Sequence, residues 1–158
     1  MPTLELETTI HAPIERVFDL ARSVDAHLET MADHDESAIE RPSTDLLSEG
    51  DHVTWRARYF GLHLEMTVEI SDCQRPTFFR DELVSSPFAE LRHDHHFTAV
   101  SSDVTRLCDE FSFSSPGGPV GTLVDRAYLD RYMRELLAQR NARLKRVAET
   151  GEWKSFLE

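Results

Sequence analysis

A long amphipathic stretch near the C-terminus, Thr122 to Thr150, constrains this chain more than any other feature. Leu129, Met133, Leu136, Arg140, Leu144 and Val147 recur at spacings of three and four, and Tyr128, Tyr132 and Leu137 widen the stripe. The spacing predicts one long helix with a face that needs burial. The breaker run Ser115, Pro116, Gly117, Gly118, Pro119 precedes it, Thr122 is the expected N-cap with Asp125 three residues on, and Gly151 ends it. A single helix of this kind must lie across another layer, and the preceding residues offer a sheet with one apolar side.

Leu4, Leu6, Thr8 and Ile10 alternate with Glu5, Glu7, Thr9 and His11, which predicts a first strand with one wet face. Pro13 opens a helix carrying Ile14, Val17, Phe18 and Ala21, and Ser23 caps a second short helix with Leu28 and Met31. A weak edge strand is expected around Ala38 to Arg41, closed by Pro42. From His52 to Ser71, a tight turn at Gly61 and Leu62 predicts a hairpin. Its apolar pairs are Tyr59 with Leu64, Ala57 with Met66, Trp55 with Val68 and Val53 with Ile70. Its other face pairs Arg58 with Glu65, Arg56 with Thr67 and Thr54 with Glu69. Strands at Thr77 to Val84, Phe88 to Ala99 and Val104 to Phe113 follow with short links, which implies an antiparallel meander.

The 158 residues suit one domain, expected over 1–150, with a tail over 151–158. That tail carries Trp153, Phe156 and Leu157, which either dock on the body, meet a second copy in a homodimer, or hang loose. Two cysteines, Cys73 and Cys108, match no disulfide framework or metal pattern. No apolar run reaches membrane-spanning length, and Met1 to Glu5 lacks the features of a signal peptide, so a cytoplasmic protein is expected. The net charge is −12, yet Thr122 to Thr150 carries seven basic and four acidic residues, while Asp25 to Asp51 holds nine acids against Arg41. That acidic stretch repels phosphates, which argues against nucleic acid as a partner.

In the sixth strand Glu90, Arg92, Asp94, His96 and Thr98 form the wet set, which turns Leu91, His93, His95 and Phe97 inward. The same phase puts Phe79, Asp81 and Leu83 inward in the fifth strand and Leu107, Asp109, Phe111 and Phe113 in the seventh. Two carboxylates and two imidazoles therefore fall on the buried side, with His95 expected near Asp109. Buried charges need partners, so a self-satisfied core network is one reading. A second makes these groups the polar wall of an apolar ligand cavity. Trp55, Tyr59, Met66, Phe79, Phe97 and Phe111 would then line it from the sheet, and Tyr132, Met133 and Leu136 from the helix, with Tyr128 beside them. A third takes His93 and His95, completed by Asp81 or Asp109, as metal ligands. His11, His27, His34, His52 and His63 read as surface or loop residues. No phosphate loop, nucleophile elbow or cofactor motif is present.

The order of strand, helix pair, six-stranded meander and long helix is that of the helix-grip fold. The run Ile10, Ala12, Pro13, Glu15, Val17, Phe18, Leu20 resembles the opening of the SRPBCC superfamily, the START-like and Bet v 1-like proteins that include polyketide cyclase and dehydrase-like members. Gly50, Asp51, Val53, Thr54, Trp55 and Ala57 through Gly61, then Phe79 to Glu82, then Arg92 to His95 with Phe97, then Asp109, Phe111, Pro116, Gly118, Pro119 and Gly121 are similar to its bacterial branch. The resemblance implies an α+β fold with a seven-stranded antiparallel sheet, in the order 1-7-6-5-4-3-2, curled around the C-terminal helix, and two short helices between strands 1 and 2. It also implies that Cys73 and Cys108 lie on separated strands and form no disulfide. Its members bind lipids, sterols, quinones, polyketides or hormones, and it supplies no universal catalytic residues.

The leading expectation is a protein that binds a small hydrophobic molecule between sheet and helix, with no cofactor and no metal, its ligand oriented by the Asp and His groups. The alternative is a cyclase or dehydratase-type enzyme in which His95, poised by Asp109, moves a proton. A further alternative is an interaction module with a filled core, working through the Arg-rich helix or the aromatic tail.

Overall fold

Alternating residues build the first strand, β1 (Thr3–Ile10), with Leu4 and Ile10 buried and Glu5 and Glu7 exposed. The computed structural model describes residues 3–59, 62–85, 90–114 and 118–158; the side chains of residues 59, 62, 85, 114, 118–127 and 129 also stand outside the description. Pro13 is the N-cap of α1 (Ile14–Ala21), where its fixed φ of −60° suits a helix start, and Val17, Phe18 and Leu20 are buried. Phe18 meets Phe79 and Phe97 edge-on at 5.5 and 5.1 Å, which anchors α1 on the sheet. The Ser23 hydroxyl accepts from the Ala26 amide and so caps α2 (Val24–Thr30).

The acidic segment that follows is organised by one of its own members. Asp45 accepts from the Asp25 amide at 2.9 Å and from Arg41 at 2.9 Å, and the Ser23 hydroxyl donates to its other oxygen. The short strand β2 (Ser37–Glu40) then pairs with β3 (His52–Tyr59). Gly50 enters β3 at φ 91°, a left-handed conformation that a side chain disfavours.

β3 and β4 (Leu62–Gln74) form the expected hairpin in a different register. Leu62 pairs with Tyr59, so the partners are Ala57 with Leu64, Trp55 with Met66 and Val53 with Val68. Gly61, one of the two expected turn residues, lies outside the described residues. The displacement is two residues, an even number, so the inward set is unchanged. It sets Arg56 against Glu65 and brings the Thr54 and Thr67 hydroxyls to 2.8 Å, matching polar partners across the outer face.

β5 (Phe78–Ser85), β6 (Glu90–Ser101) and β7 (Val104–Ser114) complete an antiparallel sheet of order β1-β7-β6-β5-β4-β3-β2. Phe88, the expected start of β6, lies outside the described residues. Bulges at Thr67/Val68, Ile70/Asp72 and Ala99/Ser101 bend the longer strands. Asp94 points outward as predicted, but it is covered rather than wet, because the Arg80 guanidinium donates two hydrogen bonds to it at 2.6 and 3.0 Å. Cys73 on β4 and Cys108 on β7 are free thiols on strands that are not neighbours.

The long helix α3 spans Gly118–Glu149 and starts four residues before the expected cap, so Thr122 is helical. Gly118 and Pro119 end the preceding segment and still fit the first helical turn, where proline loses no hydrogen bond. From its middle onward the stripe is buried as predicted at Leu136, Leu137, Arg140, Leu144 and Val147, and Asn141 and Ala148, which the stripe did not include, are buried with it. Tyr128 does not extend it, being 59% exposed one turn beyond the covered part. α3 packs along β1, α1 and α2. Its last turn is pinned by Lys145 donating to the Thr9 carbonyl, Glu149 accepting from the His11 amide, and Arg16 donating to the Ala148 carbonyl. The tail docks on the body through a single 3-10 turn (Gly151–Trp153) and α4 (Lys154–Leu157), with Trp153, Phe156 and Leu157 against the main core. Among the described residues, no helix is long and apolar enough to cross a membrane.

Candidate functional site

Between the inner face of the sheet and helices α1, α2 and α3 lies a cavity of about 130 Å³. Volumes near this size accommodate a single aromatic ring when the lining is apolar. Trp55, Met66 and Phe79 line it from β3, β4 and β5, Phe111 from β7, and Met133 and Leu136 from α3. Asp81, His93 and His95 form its polar wall. Of the remaining expected ligand contacts, Phe97 is buried against Phe18 in the main core and is not part of the lining. Tyr132 is half-buried beside the cavity, Asp109 lies behind the wall, and the Tyr59 side chain is outside the description.

The four expected polar residues do come together, although the pairing differs from the expected one. His95 and Asp109 are direct partners in the β6–β7 ladder, and Asp81 and His93 are direct partners in β5–β6. The hydrogen bonds run along the diagonals instead: His95 Nε2 to Asp81 Oδ2 at 2.8 Å, and His93 Nε2 to Asp109 Oδ1 at 2.6 Å. The two imidazoles stack at 3.7 Å, and Phe79 stacks on His95 at 4.0 Å. His95 Nδ1 stands 3.5 Å from Asp109 and is buried with no hydrogen-bond partner among the described residues. This network assigns the Nε2–H tautomer to His95, donating to Asp81, with an unprotonated Nδ1.

Asp109 is 1% exposed and supported from α3 by two residues that sequence reasoning did not place in the site. Arg140 donates to its Oδ1 at 2.9 Å and to Asn141 Oδ1 at 3.0 Å, while Asn141 donates to Asp109 Oδ2 at 2.7 Å. Burial works against the charged carboxylate, but the Arg140 charge and the His93 hydrogen bond outweigh it and hold Asp109 below the usual carboxylate range. Asp81 is likewise lowered, burial being overcome by its hydrogen bond with His95. Burial lowers the pKa of His95 to about 4, and the stacked His93 adds to this against the pull of Asp81 and Asp109. At neutral pH the His95 ring is uncharged.

A second polar group at the cavity was also missed. His27, expected at the surface, lines the cavity, lies tilted against Trp55 with ring centroids 4.3 Å apart and pairs through Nε2 with Glu36. Its place comes from the packing of α2 over β3, which leaves no periodic trace in the sequence.

Asp81, His93 and His95 each offer a ligand atom within 4.8 Å of the others, a two-histidine, one-carboxylate set of the kind that holds divalent transition metals. Of the two carboxylates the sequence offered as a third ligand, Asp81 is the one so placed; Asp109 is engaged by Arg140 and Asn141. On the outer face Asp94, His96 and Glu110 cluster similarly, but the Arg80 cation already occupies Asp94.

No family model matches the sequence, and no curated protein matches it either. Solved structures do. The Zhui aromatase/cyclase from Streptomyces sp. R1128 superposes with a TM-score of 0.75 at 12% identity, covering 99% of this chain and 96% of the other. A START superfamily protein from Mycobacterium smegmatis gives 0.68 at 11% identity, over 93% and 97%. Major latex-like protein 151 from Panax ginseng gives 0.70 at 11% identity, over 94% and 98%. The chain has the helix-grip fold seen in START-like and Bet v 1-like proteins. At these identities the likeness carries the architecture alone, and what the cavity of this chain accepts depends on its own residues.

Proposed function

We propose that the protein binds a small, largely apolar molecule in the cavity between the sheet and α3, acting in the cytoplasm. The observation that carries this reading is the cavity itself, ring-sized, walled by Trp55, Met66, Phe79, Phe111, Met133 and Leu136, with one polar side. Burial of ligand surface drives association, and Asp81, His93 and His95 orient what enters. The two unpaired cysteines on non-adjacent strands suit a reducing compartment. Native mass spectrometry of protein purified from its own host tests the reading. A co-purifying apolar mass that disappears when Met66→Trp fills the cavity supports it; an empty protein that also binds no ring-sized probe removes it.

A second reading is favoured by the carboxylate-held imidazoles on the cavity wall together with the likeness to an aromatase/cyclase. Here the enzyme is of cyclase or dehydratase type, and Asp81 rather than Asp109 is the group that orients His95, an uncharged imidazole able to accept a proton. Turnover of a polyketide-like substrate that survives His95→Ala would eliminate it.

A further inference from the structure

The cavity wall carries an unequal distribution of charge. Among the described residues, four ionisable groups besides the histidines line it: Arg22, Glu36, Asp81 and Arg140. Both cations are already matched. Arg22 donates to Asp19 Oδ1 at 2.9 Å and to the Leu47 carbonyl at 3.2 Å. Arg140 donates to Asp109 and Asn141. Glu36 is paired with His27. Asp81 differs. Its Oδ2 accepts from an uncharged His95, its Oδ1 takes no hydrogen bond among the described residues, and 20% of its side-chain surface stays accessible. The carboxylates behind the two arginines, Asp19 and Asp109, add no positive charge to offset it.

We infer that the site selects uncharged, hydroxyl-bearing ring compounds of the phenol class and rejects carboxylates of the same shape, with the free oxygen of Asp81 accepting the ligand hydroxyl. This rests on the cavity-binding reading above. A phenolic O–H supplies the donor that Asp81 lacks, and a short O–H···O⁻ bond in a poorly solvated wall is among the stronger hydrogen bonds available. A ligand carboxylate would instead place a second anion beside Asp81 with neither arginine free to neutralise it. An apolar ring with no hydroxyl fills the same space and leaves the Asp81 oxygen without a partner.

The test is an NMR chemical-shift titration of the full chain with toluene, p-cresol and p-toluate, read at residues lining the cavity. The expected order is p-cresol tightest, then toluene, with p-toluate weaker than p-cresol by about tenfold or more. In Asp81→Asn, whose amide oxygen still accepts from His95, p-toluate should tighten several-fold while toluene is unchanged. Binding of p-toluate as tight as p-cresol, or a p-cresol to p-toluate ratio that Asp81→Asn does not move, overturns the inference and leaves cavity binding standing. Silence of all three probes at the cavity residues removes the binding reading and the inference together.

Discussion

His95 donates to Asp81 across a diagonal of the sheet, at 2.8 Å, although the residue directly opposite it on β7 is Asp109. His93 makes the mirror-image choice, leaving its direct partner Asp81 for Asp109. The exchange matters because it puts the carboxylate that Arg140 bonds directly, Asp109, behind the wall and the one Arg140 reaches only through space, Asp81, on the cavity. On the binding reading proposed above, stability and ligand choice would therefore be controlled by different acids.

The buried His95 ring should make the protein acid-labile above the carboxylate range. Its pKa is about 4 when folded against 6.5 for a free imidazole, so between those values the unfolded chain binds the extra proton. Stability is then fully present above pH 6.5 and declines as pH falls toward 4, by as much as a few kcal/mol for a shift of this size. Asp81 and Asp109, whose values are lowered, add a further loss only below their free carboxylate value of 3.8. Urea denaturation across this interval, wild type against His95→Gln, measures it. The variant should show a flatter slope, and equal slopes would assign the acid sensitivity elsewhere.

Arg140 is held in place by a buried acid, and removing one without the other should be costly. Arg140→Met strands the Asp109 charge in the core and should lower stability by about 3–5 kcal/mol. Arg140→Met with Asp109→Asn removes both charges and should recover most of that loss. A double variant no more stable than Arg140→Met would show that the pair is not coupled; chemical denaturation of the three proteins decides.

Gly50 and Gly151 form an internal control for backbone conformation. An added Cβ meets nothing within 4 Å at either position, so sterics against neighbours are equal. Only Gly50 sits at positive φ, 91°. Gly50→Ala should cost about 1 kcal/mol or more, and Gly151→Ala a few tenths at most. Thermal midpoints compare them directly, and similar midpoints would refute the strain argument.

What was legible in the sequence follows from which signals are periodic. Strand phase has a period of two, so the inward set survived even where the hairpin register moved by two residues. The same logic placed Asp81, His93, His95 and Asp109 on one face. Arg140 was visible only as the charged member of an apolar stripe at helical spacing; that its partner is the buried Asp109 was not read from the sequence. The diagonal pairing was not legible, because register fixes backbone partners while rotamers decide which neighbouring side chain is reached. His27 and Glu36 were hidden for another reason: their meeting depends on how α2 tilts over β3, a tertiary fact with no local pattern. The helix start was misplaced because Gly118 and Pro119 are breakers in one setting and acceptable first-turn residues in another.

The aromatic tail serves stability and is separate from the site. Trp153 lies under the Arg16 guanidinium at 4.1 Å and packs with Phe156 and Leu157 against the main core, and none of the three lines the cavity. Arg16 also bonds the Ala148 carbonyl, so the contact ties α1, the end of α3 and the tail into one corner. Trp153→Ala removes an aromatic packing partner and a cation–π contact, and should destabilise the protein by about 2–4 kcal/mol, below a full core deletion because the residue is only partly buried. Binding of a ring-sized probe at the cavity should keep its affinity at temperatures where the variant remains folded. If Trp153→Ala weakened binding without lowering the thermal midpoint, the tail would belong to the site.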